Sequence, residues 1–277
     1  DRLRATCEMS DAVKGAELIL LASPSHATRE LLGAMLNFVE PEMLFVSATK
    51  GIEIETGKRI SEVTREMLVQ QFEPRFVCLS GPSFAQEVAD GQPTAIVAAS
   101  NSAFDSKLVQ GVFSFQNLRV YTNTDVVGTE LGGSVKNVMA VAAGMVTGLG
   151  LGTNSVAALI TRGLAEMTRL AQAAGARLET LMGLAGLGDL VLTCTGSLSR
   201  NRYVGQELGR GRELEEVLSG MREVAEGVKT TRAVKRLADK LSVQMPITEE
   251  VHAVLYEGKS AREAADALMQ RPLREEL

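Results

Sequence analysis

Arg75-Phe-Val-Cys-Leu79 followed closely by Gly81-Pro-Ser-Phe-Ala85 is the stretch that decides the fold. An unbroken apolar run of this length suits a strand buried on both faces, as in parallel sheets. The Gly-Pro-Ser segment behind it has turn chemistry, and Ser83 is placed to cap a following helix. The same unit recurs on either side. Glu17-Leu-Ile-Leu-Leu-Ala22 and Met43-Leu-Phe-Val46 precede it; Thr94-Ala-Ile-Val-Ala98 and Leu118-Arg-Val-Tyr121 follow. Helical patterns fill the gaps at about 25–37, 57–71 and 103–113, with a short one after Ser83. Strands alternating with helices at this spacing predict βαβ units and a doubly wound parallel sheet.

From about Gly132 the strands stop. Residues 134–149 read as an Ala- and Val-rich helix, and 155–174 carry apolar residues at the helical period. Further helices are predicted at about 200–209, 213–219, 226–241, 248–257 and 260–270. Ser260 and Glu263 form a capping box for the last. Met245-Pro246-Ile247 closes one segment and Thr248 caps the next. The division is therefore 1–131, a domain of alternating strands and helices, and 132–277, all helical. Gly148-Leu-Gly150-Leu-Gly152 follows a helix rather than a strand, so it reads as an inter-helix loop and not a phosphate loop.

Composition bounds the partners. With 277 residues, 29 Lys plus Arg against 34 Asp plus Glu, and a net charge of −5, the chain lacks the basic balance of a nucleic-acid binder. Cys7, Cys78 and Cys194 are widely spaced, and only two histidines are present, so neither a disulfide frame nor a structural zinc site is predicted. Lone cysteines fit a reducing, cytoplasmic setting. No continuous apolar run reaches the roughly 18–20 residues of a membrane helix. The chain opens on charged residues without a Met, which gives the expectation that an N-terminal piece is absent.

Ligands of open parallel sheets bind beyond the carboxyl ends of the strands. Ser23-Pro24-Ser25-His26, Thr49-Lys50-Gly51 and Gly81-Pro82-Ser83-Phe84-Ala85 all fall there. Each is also an ordinary strand-to-helix turn; three on one edge favour a site. Lys136, in Gly132-Gly-Ser-Val-Lys-Asn137, has alanines at 140 and 143 on its helical face. A lysine on so small and apolar a face either snorkels to water or sits in a cleft with a lowered pKa, suited to acid–base work. Asp189, in Gly186-Leu-Gly-Asp-Leu190, is either a helix cap or a buried acid that needs a cation, and Lys136 is a candidate partner. Ser199-Arg200-Asn201 offers the donors that grip phosphate, though Ser also commonly opens a helix. Cys194 has no nearby histidine to act as base and is not a candidate nucleophile.

Six segments in this order carry a resemblance: Ala48-Thr-Lys-Gly-Ile-Glu53, Gly81-Pro-Ser-Phe-Ala85, Gly132-Gly-Ser-Val-Lys-Asn137, Leu159-Ile-Thr-Arg-Gly-Leu-Ala-Glu-Met167, Gly186-Leu-Gly-Asp-Leu-Val-Leu-Thr-Cys-Thr195 and Ser199-Arg-Asn201. Over residues 10–270 the chain resembles bacterial NAD(P)-dependent sn-glycerol-3-phosphate dehydrogenases. The resemblance implies a Rossmann-type domain followed by a helical domain, and reversible reduction of dihydroxyacetone phosphate to glycerol 3-phosphate, the phospholipid precursor. It implies NAD or NADP as cofactor, a small phosphorylated substrate, a cytoplasmic setting and a homodimer. It makes Lys136 the catalytic proton donor and acceptor, with Asp189 beside it. Lys50, Gly81, Ser83, Asp189, Ser199, Arg200 and Asn201 would contact substrate. Ala85, Val224 and Glu226 would line the dinucleotide, with Lys50 and Arg200 nearby.

The resemblance also implies an opening strand and a Gly-rich turn for the pyrophosphate, roughly 50–60 residues with their connection, at the size of a βαβ unit. This chain is expected to lack that cradle, together with the residue that selects NAD against NADP. Two other readings stay open: a non-catalytic binding or dimerising module, and a sister enzyme acting on another hydroxy acid.

Overall fold

The computed structural model describes residues 3–221, 225–273 and 275–276. Five strands form one sheet in the order β1-β2-β3-β4-β5: β1 Leu18–Leu21, β2 Leu44–Ser47, β3 Arg75–Ser80, β4 Thr94–Ala99 and β5 Leu118–Asn123. Between them lie α2 (Thr28–Met35), α3 (Ile60–Leu68), α4 (Ala85–Ala89) and α5 (Ala103–Phe113), with α1 (Met9–Val13) ahead of β1. One face of the sheet packs Ile19, Leu21 and Phe45 against Val13, Leu32, Met35, Val63 and Leu68 of α1, α2 and α3. The other packs Val77, Leu79, Ile96, Ala98 and Val120 against Val109 of α5. Helices on both faces are the doubly wound arrangement.

The sheet is mostly parallel, with one reversal. β1, β2 and β3 run parallel, and β4 runs parallel to β5, but β3 and β4 are antiparallel. The cause is the short crossover. The five residues of α4 rise about 7.5 Å, while the six-residue strand beside it spans about 20 Å, so the chain cannot return to the far end of the sheet. It re-enters at the edge it left. The turns after β1, β2 and β3 therefore share one edge, as expected.

The helical part comprises α6 (Val126–Gly148), α7 (Thr153–Ala173), α8 (Leu178–Leu181), a π turn (Leu184–Gly188), α9 (Asp189–Thr195), α10 (Arg200–Gly209), α11 (Leu214–Ser219), α12 (Glu226–Lys240), α13 (Pro246–Tyr256) and α14 (Ala261–Met269). Helix α6 begins eight residues before the expected 134, because the Asp125 carboxylate caps it, accepting the Gly128 N–H at 2.8 Å. Gly132 and Gly133 lie inside the helix rather than breaking it. A Cβ on Gly132 would stand 2.4 Å from the Ala185 carbonyl oxygen, and one on Gly133 would stand 2.6 Å from Ser80 Oγ. Residue 131 thus sits within α6. Nearly all of α6 is buried, and it runs through the middle of the helical core.

Thr248 does not cap α13. Met245 occupies the cap position and Pro246 the first turn, where its missing N–H costs nothing. The capping acceptor comes from another helix. Glu166 of α7 accepts from Ile247 N at 2.8 Å and Thr248 N at 3.4 Å. Burial pushes that carboxyl up to about 7, while the two N–H groups hold it down. The box at Ser260 and Glu263 is present. The stretch 178–195 is long and apolar enough to span a membrane by composition alone, with mean hydropathy 1.3. It is divided among α8, the π turn and α9 and carries the fully buried Asp189, so it reads as protein core.

Candidate active site

Lys136 and Asp189 meet. Lys136 lies on α6, fully surrounded, at 6% exposure; Asp189 opens α9 at 0%. The Lys136 ammonium donates to Asp189 Oδ1, and to Thr193 Oγ1 at 2.8 Å. Lys50, on the turn after β2, donates to Asp189 Oδ2 at 2.9 Å and to the Gly81 carbonyl at 2.8 Å. One carboxylate is thus shared by two ammonium groups, and the centre carries a net positive charge. Each ammonium has three donors and spends two here, which leaves the third for a substrate oxygen.

The surroundings tune Lys136. Burial, then the neighbouring Lys50 charge, lower its pKa from 10.5 to about 8, while Asp189 opposes the fall. A group poised there exchanges protons near neutral pH. Cys194, also buried nearby, is pushed up to about 12 by desolvation and stays a thiol.

Backbone geometry sets the floor. Gly81 adopts φ 135°, and a Cβ there would meet Ile96 Cα at 3.0 Å, so only glycine lets its carbonyl face Lys50. Ser83 does not cap α4, whose cap position is Phe84; the Ser83 Oγ turns back to donate to that same carbonyl at 3.0 Å. Ala85 is exposed at the start of α4.

The start of α10 divides its roles. Ser199 is buried and caps the helix, accepting the Arg202 N–H at 3.2 Å. Arg200 is exposed at the first helical position. Asn201 is tied down: its amide donates to Asn137 Oδ1 at 3.0 Å, and its oxygen accepts the Gly227 N–H at 2.9 Å. Asn137 in turn donates to the Lys50 carbonyl at 3.2 Å. Glu226 accepts the Ser25 N–H at 2.9 Å, which joins the start of α12 to the turn after β1. Burial raises its pKa, and the Ser25 bond and then the Lys229 and Arg200 charges lower it. Val224 lies outside the described residues.

Two participants went unassigned at the sequence level. Thr193 sits four residues after Asp189 on one helix face, a spacing that could have flagged it. Asn137, next to Lys136, points a different way around α6, and its partners lie 64 and 87 residues away.

The strand ends fit a dinucleotide. Ser23 Oγ and Ser80 Oγ, buried at the ends of β1 and β3, have no hydrogen-bond partner among the described residues. A Cβ on Gly51 would stand 2.4 Å from Ser25 Oγ and 3.2 Å from a Glu226 oxygen, so backbone is exposed between two polar groups. Orphan hydroxyls and bare backbone at this edge suit a bound polar cofactor.

Comparison with known proteins agrees. Family models for the N-terminus and the C-terminus of NAD-dependent glycerol-3-phosphate dehydrogenase match residues 1–105 and 125–266. Glycerol-3-phosphate dehydrogenase [NAD(P)+] of Koribacter versatilis is 57% identical over 268 residues, covering 96% of this chain and 80% of the relative. That of Citrifermentans bemidjiense is 52% identical over 276 residues, covering 100% and 82%. The crystal structure of glycerol-3-phosphate dehydrogenase from Coxiella burnetii superimposes with a TM-score of 0.93 at 40% identity, covering 97% of this chain and 81% of that one. The chain belongs to the NAD-dependent glycerol-3-phosphate dehydrogenase family.

Proposed function

We propose that the Lys136 cluster interconverts dihydroxyacetone phosphate and sn-glycerol 3-phosphate with NAD or NADP. The observation that carries this reading is the buried lysine, held by a carboxylate shared with a second lysine at the edge where the strands end. When bound, the nicotinamide supplies a hydride to the carbonyl carbon, or takes it back. Lys136 then gives a proton to the oxygen, or removes it in the reverse direction. Asp189 and Thr193 fix where that proton points. Lys50 adds a second positive charge, which favours an oxygen gaining electron density.

Arg200 grips the substrate phosphate, with Ser199 and Asn201 shaping the helix start around it. Gly81 and Ser83 line the substrate, while Ala85 and Glu226 face the dinucleotide. Residues 1–131 serve the cofactor and 132–277 complete the substrate side. The product supplies phospholipid synthesis in the cytoplasm, a setting supported by three free cysteines. The enzyme is a homodimer in this reading, which sedimentation of the purified protein tests.

Purified protein is assayed for oxidation of NADH and NADPH with dihydroxyacetone phosphate. Turnover that depends on that substrate supports the reading; none with either cofactor would refute it. For Arg200→Lys, KM for dihydroxyacetone phosphate is expected to rise about tenfold, a loss of about 1.4 kcal/mol, because lysine lacks the planar fork. The unphosphorylated ketone should suffer much less. Equal losses would remove Arg200 from phosphate binding.

A further inference from the structure

Residues 50–61 form a strap between β2 and α3, and one face of α6 holds it at both ends. At the near end, Asn137 binds the Lys50 carbonyl at 3.2 Å. At the far end, the buried Glu130 carboxylate accepts from Arg59 Nη1 at 2.7 Å, Ser61 N at 2.7 Å and Ser61 Oγ at 2.6 Å. Between them the Lys50 stem passes over Gly133, with its Cγ at an ordinary contact distance of 3.7 Å from where a Cβ would stand. Positions 130, 133 and 137 follow the spacing of one helical face. We propose that Glu130 is a positioning residue for Lys50, acting through the strap from outside the reacting centre.

The strap can transmit this. It is a narrow hairpin in which Ile52 and Arg59 pair across an antiparallel bridge, and Glu53 N donates to the Lys58 carbonyl at 2.9 Å. Arg59, latched by Glu130, is thus paired with the residue two places after Lys50. Ile52 is itself fully buried in the helical core, so the hairpin cannot shift without disturbing packing. A carboxylate with three donors is a strong, directional latch. Removing it takes one anchor from the stem, leaving the buried Ile52 and the Arg29–Glu53 pair to hold the rest, and loosens the positioning of Lys50 against Asp189.

The inference rests on the catalytic reading of Lys136, and its test separates the two. Lys136 faces Lys50, Asp189, Thr193 and Cys194. The Lys50 charge is one cause of its low pKa, so a displaced Lys50 should let that pKa rise. The measurement is KM for dihydroxyacetone phosphate and the pH profile of kcat/KM in Glu130→Gln, with melting temperature alongside. KM is expected to rise about tenfold, and the limb near pH 8 to move upward. Ser61→Ala, which removes one donor, should show the same two shifts in smaller measure, and it decides the matter if Glu130→Gln fails to fold. A lower melting temperature with KM and limb unchanged would make Glu130 merely structural and overturn the inference. Full activity in a Lys136 variant would instead overturn the reading on which it rests.

Discussion

Lys136→Met is expected to lower kcat by roughly 10²–10⁴, the usual worth of a positioned acid or base. The side chain donates to Asp189 and Thr193 and is buried, at 6% exposure, so its removal takes away a positioned proton donor. Methionine matches its length and apolar stem, which limits the cavity left behind. Asp189 keeps Lys50 as a partner at 2.9 Å, so the buried carboxylate is not stranded. The melting temperature should therefore change little. Steady-state kinetics with dihydroxyacetone phosphate and NADH check this, and a kcat within a few-fold of the unsubstituted protein would take Lys136 out of the mechanism.

Gly205→Ala should have the largest effect on stability. Helices α6 and α10 cross at glycines, and an added Cβ at 205 would stand 1.9 Å from the Val141 carbonyl oxygen and 3.0 Å from Met145 N. Both obstacles are backbone of a buried helix, so no rotamer change relieves them. Gly144 and Gly209 repeat the close approach along the same crossing, with backbone at 2.0 and 2.4 Å. The helices must separate and lose packing along their length. Overpacking costs about 1–3 kcal/mol and occasionally more, and two opposed backbones put this case at the top of that range. Near 3 kcal/mol, the melting temperature falls by roughly 6–12 °C for a chain of this size class. The shift also moves the start of α10, so Arg200 is displaced and KM rises. A melting temperature within about 2 °C of the parent would show that the crossing has slack.

Most of the architecture was legible because burial writes itself into local pattern. Five apolar runs became five strands, and α5 and α10 start and end where their periodicity does. Strand direction was not legible, since an apolar run reads the same either way. The reversal between β3 and β4 follows from the short α4, a helix the sequence already marked as short without its consequence for strand direction being drawn. The start of α6 was missed because glycine lowers helix propensity, whereas here it answers close contacts at Ala185 and Ser80. The cap of α13 was assigned to the nearby Thr248, yet the acceptor is Glu166, about 80 residues away in sequence. Within the site, the pairing of Lys136 and Asp189 could be inferred from the cost of burying either alone. The sharing of Asp189 with Lys50, and the tie from Asn201 through Asn137 to the strap, depend on how the two halves of the chain meet.

The pH dependence of kcat/KM in both directions tests the central claim most directly. With Lys136 titrating at about 8, reduction needs its protonated form and oxidation its neutral form. Between about pH 7 and 10, kcat/KM for reduction should be level below 8 and fall about tenfold per unit above it, while kcat/KM for oxidation should rise through the same point to a plateau. Lys136→Met should lose both breaks along with most of its rate. Flat profiles in the unsubstituted protein, or the same breaks persisting in Lys136→Met, would contradict the assignment of Lys136 as the group that gives and takes the proton.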